Sequence, residues 1–364
     1  MLKLKAGELV EVLSKEEILM TLDQTGRLEK LPFMPQMFEY CGKQFRVYKR
    51  AHKTCDTVNK TGGLRMNAAV HLEGLRCDGQ AYGGCQAECL IFWKEAWLRR
   101  VGNEPAQAPK CPTVSSPSHE VCSLENAVCR EDNVLRSTRA EGKRESSDDP
   151  TYICQATTLP EASKPLKWWE LDQYWEDYVS GNTGLWRLFR GLVYAAYYAL
   201  IQSGLGLGAI LRALYDAFQS FWKGVPFPRK TGRLPSGEKT PSLSLHLQPG
   251  DFVRIKSYEE ILNTLDRTNR NKGLYFDAEM VPYCGGVYRV RKRVHQILNE
   301  KTGKMMRMKN ECIMLEGVTC QSRYSDRRYF CPRSIYSYWR EIWLERIDAQ
   351  HAPEICPVST LIRK

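Results

Sequence analysis

Residues 7–101 and 250–347 are two copies of one unit, so whatever fold the first adopts the second must also be able to adopt. Without a gap from Gly7 and Gly250 to Cys77 and Cys320, Tyr40-Cys41-Gly42 falls on Tyr283-Cys284-Gly285 and Arg46-Val47 on Arg289-Val290. Leu72-Glu73-Gly74 likewise falls on Leu315-Glu316-Gly317. Three extra residues in the second copy then restore register, and Trp93, Glu95, Trp97 and Leu98 meet Trp339, Glu341, Trp343 and Leu344. Most other positions have diverged. The residues that stayed identical are therefore the informative ones.

Each copy opens with an alternating strand, Glu8 to Leu13 or Asp251 to Lys256. Ser14-Lys15-Glu16-Glu17 and Ser257-Tyr258-Glu259-Glu260 follow as capping boxes, in which Ser and Glu satisfy free amides of a first helical turn. Further strands are expected at Phe45–Arg50, Ala69–Leu75 and Trp93–Val101, with counterparts at Tyr288–Arg293, Cys312–Val318 and Trp339–Ile347. Short strands with one capped helix predict an α+β unit built as a small, partly closed β-barrel. Gly7-Glu8-Leu9-Val10 with Gly42-Lys43-Gln44-Phe45-Arg46-Val47 resembles the small SH3-like barrels, as do Gly250-Asp251-Phe252-Val253 and Gly285-Gly286-Val287-Tyr288-Arg289-Val290. The resemblance implies a fold and no activity.

Between the copies, 102–164 reads as a flexible linker rich in Ser, Pro, Glu and Arg, 165–225 as a helical insert and 226–249 as a second linker. The insert is aromatic, with Trp168, Trp169, Trp175 and Tyr178 on a first segment, Trp186–Ile201 as a second and Ile210–Phe221 as a third. Gly191 to Leu211 holds no charge and is about long enough to span a membrane. Gln202, Ser203 and the glycines at 204, 206 and 208 interrupt it, and Arg187, Arg190 and Arg212 flank both ends without an orientation bias. The expectation is a buried helical hairpin, and membrane contact through 191–211 is the alternative.

Apolar residues make up 43% and charged residues 26%, which excludes a disordered chain and a polytopic membrane protein. Fifty-three basic against 42 acidic residues leave +11, and from Asp251 to Ile347 there are 19 Lys and Arg against 12 Asp and Glu. Protein partners are the first expectation. Nucleic acid is a second, through Arg289, Arg291, Arg293, Arg323, Arg327 and Arg328, since arginines interleaved with Tyr324 and Tyr329 suit both phosphates and stacked bases.

The fourteen cysteines bear most directly on chemistry. The N-terminal residues carry no apolar signal-peptide core, so a cytoplasmic, reducing setting is expected, where matched cysteines bind metal more often than they form disulfides. Cys41, His52, Cys77 and Cys85 superpose on Cys284, His295, Cys320 and Cys331, two Cys3His sets of the kind that hold structural zinc. Two zinc ions are therefore expected. Buried cysteines that simply pack would be retained as well. Cys55, His71 and Cys89 fall opposite Leu298, Met314 and Ile335 and are the candidate catalytic residues, whereas no Walker loop, nucleophile elbow or His-Glu-x-x-His motif is present. The reading is a zinc-stabilised tandem-repeat binding or scaffolding protein without catalysis. A metal- or thiol-dependent enzyme centred on the first copy and a nucleic-acid binder using the second are the alternatives.

Overall fold

The computed structural model describes residues 1–59, 61–102, 129–140, 149–204 and 206–348. The first repeat contains β1 (Leu9–Val12), α1 (Lys15–Leu19), β2 (Gln44–Arg50), β3 (Lys53–Cys55), β4 (Gly63–Arg65), β5 (Ala69–Leu72), β6 (Trp93–Lys94) and β7 (Leu98–Arg100). Both halves of the α1 capping box form, the Ser14 hydroxyl accepting from Glu17 N and the Glu17 carboxylate accepting from Ser14 N. Five strands make an antiparallel sheet in the order β6-β5-β2-β1-β7, while β3 and β4 form a separate hairpin.

In the insert lie α2 (Glu131–Arg136), α3 (Gln155–Ala162), β8 (Lys164–Leu166), α4 (Asp172–Val179), α5 (Leu185–Gln202) and α6 (Gly208–Phe221). The second repeat follows with β9 (Phe252–Ile255), α7 (Tyr258–Leu262), β10 (Val287–Arg293), β11 (Gln296–Leu298), β12 (Met305–Arg307), β13 (Ile313–Thr319), β14 (Tyr336–Trp339) and β15 (Leu344–Ile347). Its sheet order, β14-β13-β10-β9-β15, reproduces that of the first repeat, and β11–β12 reproduces the hairpin. The fold is thus α+β, with two similarly built five-stranded antiparallel sheets separated by helices.

The residues retained in both repeats hold the frame. Trp97 donates its indole N–H to Thr21 Oγ1 at 3.0 Å, and Trp343 donates to Thr264 Oγ1 at 2.9 Å. Buried Glu95 accepts from the amides of Lys3 and Leu4 and pairs with Arg50. Buried Glu341 accepts from the amides of Leu245, His246 and Leu247 and pairs with Arg293. Each repeat thereby draws the chain that precedes it onto its own sheet, because a buried carboxylate needs donors and the incoming backbone supplies them.

Those contacts change the reading of the connecting segments. Within 102–164, expected as a flexible linker, Cys129, Val134, Tyr152, Cys154 and Leu159 are buried in the first repeat's core. The Gln155 side-chain amide accepts from Phe92 N and donates to Phe92 O, standing in for a missing strand. Leu135 of the same segment stays exposed, but these buried side chains tie the described part of it to the core. Cys111 and Cys122 lie outside the described residues. From 226–249, Phe227 and Leu247 are buried, Leu247 in the second repeat's core, while most residues between them are exposed. β8 extends the β3–β4 hairpin as a third strand.

Candidate functional site

Each repeat's hairpin meets the long loop of the other. Gln86 N donates to Gln296 O at 3.0 Å, Gln296 Nε2 donates to Gly83 O at 2.8 Å, and Leu298 N donates to Cys85 Sγ at 3.3 Å. Reciprocally, Arg333 in the second repeat's loop donates to Thr57 Oγ1 at 3.0 Å beside the first repeat's hairpin, and Tyr48 shares a hydrogen bond with Ser334. Cys85 and Cys331 occupy matching positions, and each faces the residue of the other repeat, 298 or 55, that the alignment also matches. The seam is a near two-fold exchange of loops. The alignment alone lacked a sign of it, because these residues face each other across more than 200 positions of chain.

The eight expected metal ligands do not gather into quartets. Cys41 and Cys284 cap the 3-10 turns Pro35–Tyr40 and Ala278–Tyr283 and pack against the apolar cores of their own repeats. His52 is buried, with Nε2 3.2 Å from Gln173 O and 3.4 Å from Asp177, whereas His295 is exposed. Cys77 and Cys320 bond through their backbones to Cys89 O and Ile335 O. Among the described residues no group of three His, Cys, Asp or Glu side chains is placed to hold a metal ion. Strand alternation and the bend after β2 carry His52 toward α4 and away from the cysteines.

Of the catalytic candidates, His71 is fully buried, its Nδ1 2.9 Å from Ile91 O and its ring against Phe92, and burial drives its pKa down to about 3. Its Nε2 has no hydrogen-bond partner. Burial pushes the Cys89 thiol up to about 12. Cys55 differs: the hydrogen bond from the Cys331 thiol and then the charge of Arg333 hold it below the ordinary thiol range, against the effect of burial. Arg333 Nη1 lies 4.0 Å from the Cys55 sulfur, and Nη2 pairs with Glu300 at 2.7 Å. Among the described residues no hydrogen bond joins Cys55, His71 and Cys89 to one another.

Beside this pair, Cys77, Cys85, Cys89, Cys154, Glu300 and Arg333 help to line a cavity of about 40 Å³. Such a volume holds about one or two waters, against the several hundred Å³ typical of substrate pockets. Cys89 of the first repeat and Cys154 of the following segment thus share one wall.

The arginines expected to meet nucleic acid are partly engaged within the chain. Arg293 pairs with buried Glu341 at 2.5 Å, Arg291 with Glu88 across the seam at 2.6 Å, and Arg289 donates to Gly250 O. Arg327 stays exposed beside Asp326, while Arg323 and Arg328 are half-buried.

Among the described residues, most of the exposed large apolar side chains lie on the insert. Gly204 and Gly206, with φ of 75° and 73°, take the left-handed backbone that a tight reversal needs and that side chains resist. α5 and α6 therefore run antiparallel, with Tyr194 against Tyr215 and the Tyr197 hydroxyl donating to Leu211 O. Their inner side rests on Tyr324, Tyr329 and Phe330 of the second repeat. The hairpin expected from the glycines is present, but it is not buried. Leu185, Trp186, Phe189, Val193 and Leu200 of α5 stand exposed, as do Ile210, Leu214, Phe218 and Phe221 of α6, because no described residue covers their outer side. Among the described residues, no helix is long and apolar enough to cross a membrane. No protein-family model matches this chain, and no curated protein matches it.

Proposed function

We propose that this chain is a non-catalytic docking protein, in which the interlocked repeats form a rigid platform and the outer face of α5–α6 is the working surface. The observation that carries the reading is the distribution of exposed large apolar side chains. Most of them fall between Trp168 and Trp222, and the others, such as Met20, Leu135 and Met306, are scattered singly. A contiguous apolar surface on a folded chain marks an interaction site, whereas isolated exposed leucines need no explanation. The platform is stiff for a reason visible in the contacts: the loop of one repeat cannot leave without unseating the hairpin of the other.

Thiol chemistry is the second reading, and Cys55 beside Arg333 favours it. The small adjoining cavity argues against a substrate there. Photo-crosslinking inside cells tests the docking reading. A benzophenone amino acid at position 218 is expected to form an adduct, with lipid or protein, that the same group at exposed position 135 does not. Equal labelling from both positions, or none from either, would reject docking through this face.

A further inference from the structure

Resting on that reading, we infer that the α5–α6 face docks onto the surface of an anionic lipid bilayer, lying in the interface and not crossing it. At about 100° per residue, Leu185, Phe189, Leu192, Val193, Ala196 and Leu200 share one side of α5. Ile210, Leu214, Phe218 and Phe221 share one side of α6. In both helices this side is exposed and the opposite side is the one that packs on the protein. The amphipathicity is thus inverted relative to an ordinary surface helix, whose apolar stripe faces inward.

The charges decide what chemistry fits the face. Among the described residues from 185 to 223, the exposed charged side chains are Arg190, Arg212 and Lys223, all cationic. Arg187 is half-buried, donating to Gln321 O, and Asp216, the acidic residue of this stretch, is half-buried and paired with Lys230. Exposed Trp186 stands near the start of α5 and exposed Trp222 just beyond the end of α6, where amphipathic rings suit the boundary between headgroups and acyl chains. Arg212 sits over the Phe227 ring, on the side of α6 away from the apolar face. An apolar face to bury, with cations on the polar side of the same helices, is the combination by which interfacial helices hold to anionic bilayers. A second copy of the chain is the competing occupant. It would bring the same cations toward one another on a protein that already carries +11, so charge favours the lipid.

Flotation of the full chain with vesicles tests this. Binding is expected to phosphatidylcholine vesicles containing phosphatidylglycerol, weaker binding to phosphatidylcholine alone, and a decline as salt rises. The double variant Leu214→Glu/Phe218→Glu changes only exposed positions, so its circular dichroism should match the wild type while its vesicle affinity falls at least about tenfold. Leu135→Glu should bind as the wild type does. Absence of vesicle binding, together with a wild-type dimer in light scattering that the double variant dissolves, would overturn the lipid assignment and leave docking standing. Absence of both, with no adduct from position 218, would remove the docking reading too.

Discussion

The two repeats use matched positions to build the same frame and unmatched positions to grip different things. Gln36 in the first repeat and Glu279 in the second occupy equivalent places, and each accepts from the backbone of the same loop position, Asp78 N or Gln321 N. Glu279 goes further. It also accepts from Tyr324 N and from Ser325 at 3.0 Å, securing the loop on which α5 rests. His52 and Lys53 turn toward the insert, where Lys53 meets Asp177 of α4 at 2.5 Å, while their counterparts His295 and Gln296 turn toward Gln86 of the first repeat. Identity between the copies therefore reports the scaffold. Divergence reports what each copy has been adapted to hold.

The sharpest way to break this comparison is through Glu95 and Glu341. Either residue changed to Ala leaves a half-buried arginine and several amides without their carboxylate, which should cost about 3 kcal/mol in urea unfolding. Glu341→Ala is expected to be the worse of the two, because Glu341 serves three amides and Glu95 two. A nearly neutral Glu341→Ala would show that the second repeat does not depend on the segment it appropriates.

Acid should then expose an asymmetry. Burial drives His52 and His71 down to about 3, and the positions opposite them hold exposed His295 and buried Met314. A histidine with a depressed folded pKa takes up a proton when the chain unfolds. Its contribution is complete above about pH 6.5 and is lost as pH falls toward 3, by up to about 1.4 kcal/mol for each pH unit and each histidine. Asp177, which burial pushes up to about 6, works in the opposite sense next to His52. His71 is therefore the cleaner probe. Between pH 7 and 4 the stability of His71→Asn should fall less than that of the wild type, and parallel curves would show that His71 does not set the acid dependence.

Much of the frame was legible in the sequence, because capping boxes, strand alternation and paired tryptophans act over a few residues. Both serines cap as expected, and the sheets repeat each other in strand order. The seam and its thiols were not legible. Cys85 and Cys331 looked like ligands within one repeat since alignment compares a position with its copy, not with the residue it touches. The Cys3His sets were read from the same alignment, and in this structure His52 answers to Gln173 and Asp177, residues that lie outside the repeat altogether. Elemental analysis that found a zinc ion for each repeat would restore those sets and require a different arrangement of β2 and its loop. The exposed face was half legible, since the glycines marked the hairpin while an uncharged stretch does not say whether its outer side is covered.

A milder comparison uses the tryptophan anchors. Thr21→Val and Thr264→Val each leave a buried indole N–H without its acceptor, at a cost of about 1–3 kcal/mol. The two effects should be nearly equal, because the bonds differ by only 0.1 Å, at 3.0 and 2.9 Å. A large inequality, read from denaturant midpoints, would mean that the retained tryptophans do not bear the same role.

The smallest effect concerns a place where the seam is chemically lopsided. Cys85 meets the backbone of Leu298, but Cys331 meets another thiol, Cys55, with the Arg333 guanidinium beside it. Removing the donor in Cys331→Ala should raise the Cys55 pKa, and Arg333→Met should raise it again by removing the positive charge. Stability would change little in the first variant, since only a small buried side chain is shortened. The readout is the pH profile of alkylation at Cys55, mapped by mass spectrometry and compared with Cys89, whose thiol burial holds near 12. Wild-type Cys55 is slow in absolute terms because it is buried, so the position of the profile carries the information, not the rate. A profile that stays in place in both variants would mean that neither Cys331 nor Arg333 acts on Cys55. The seam would then be as symmetric in its chemistry as it is in its loops.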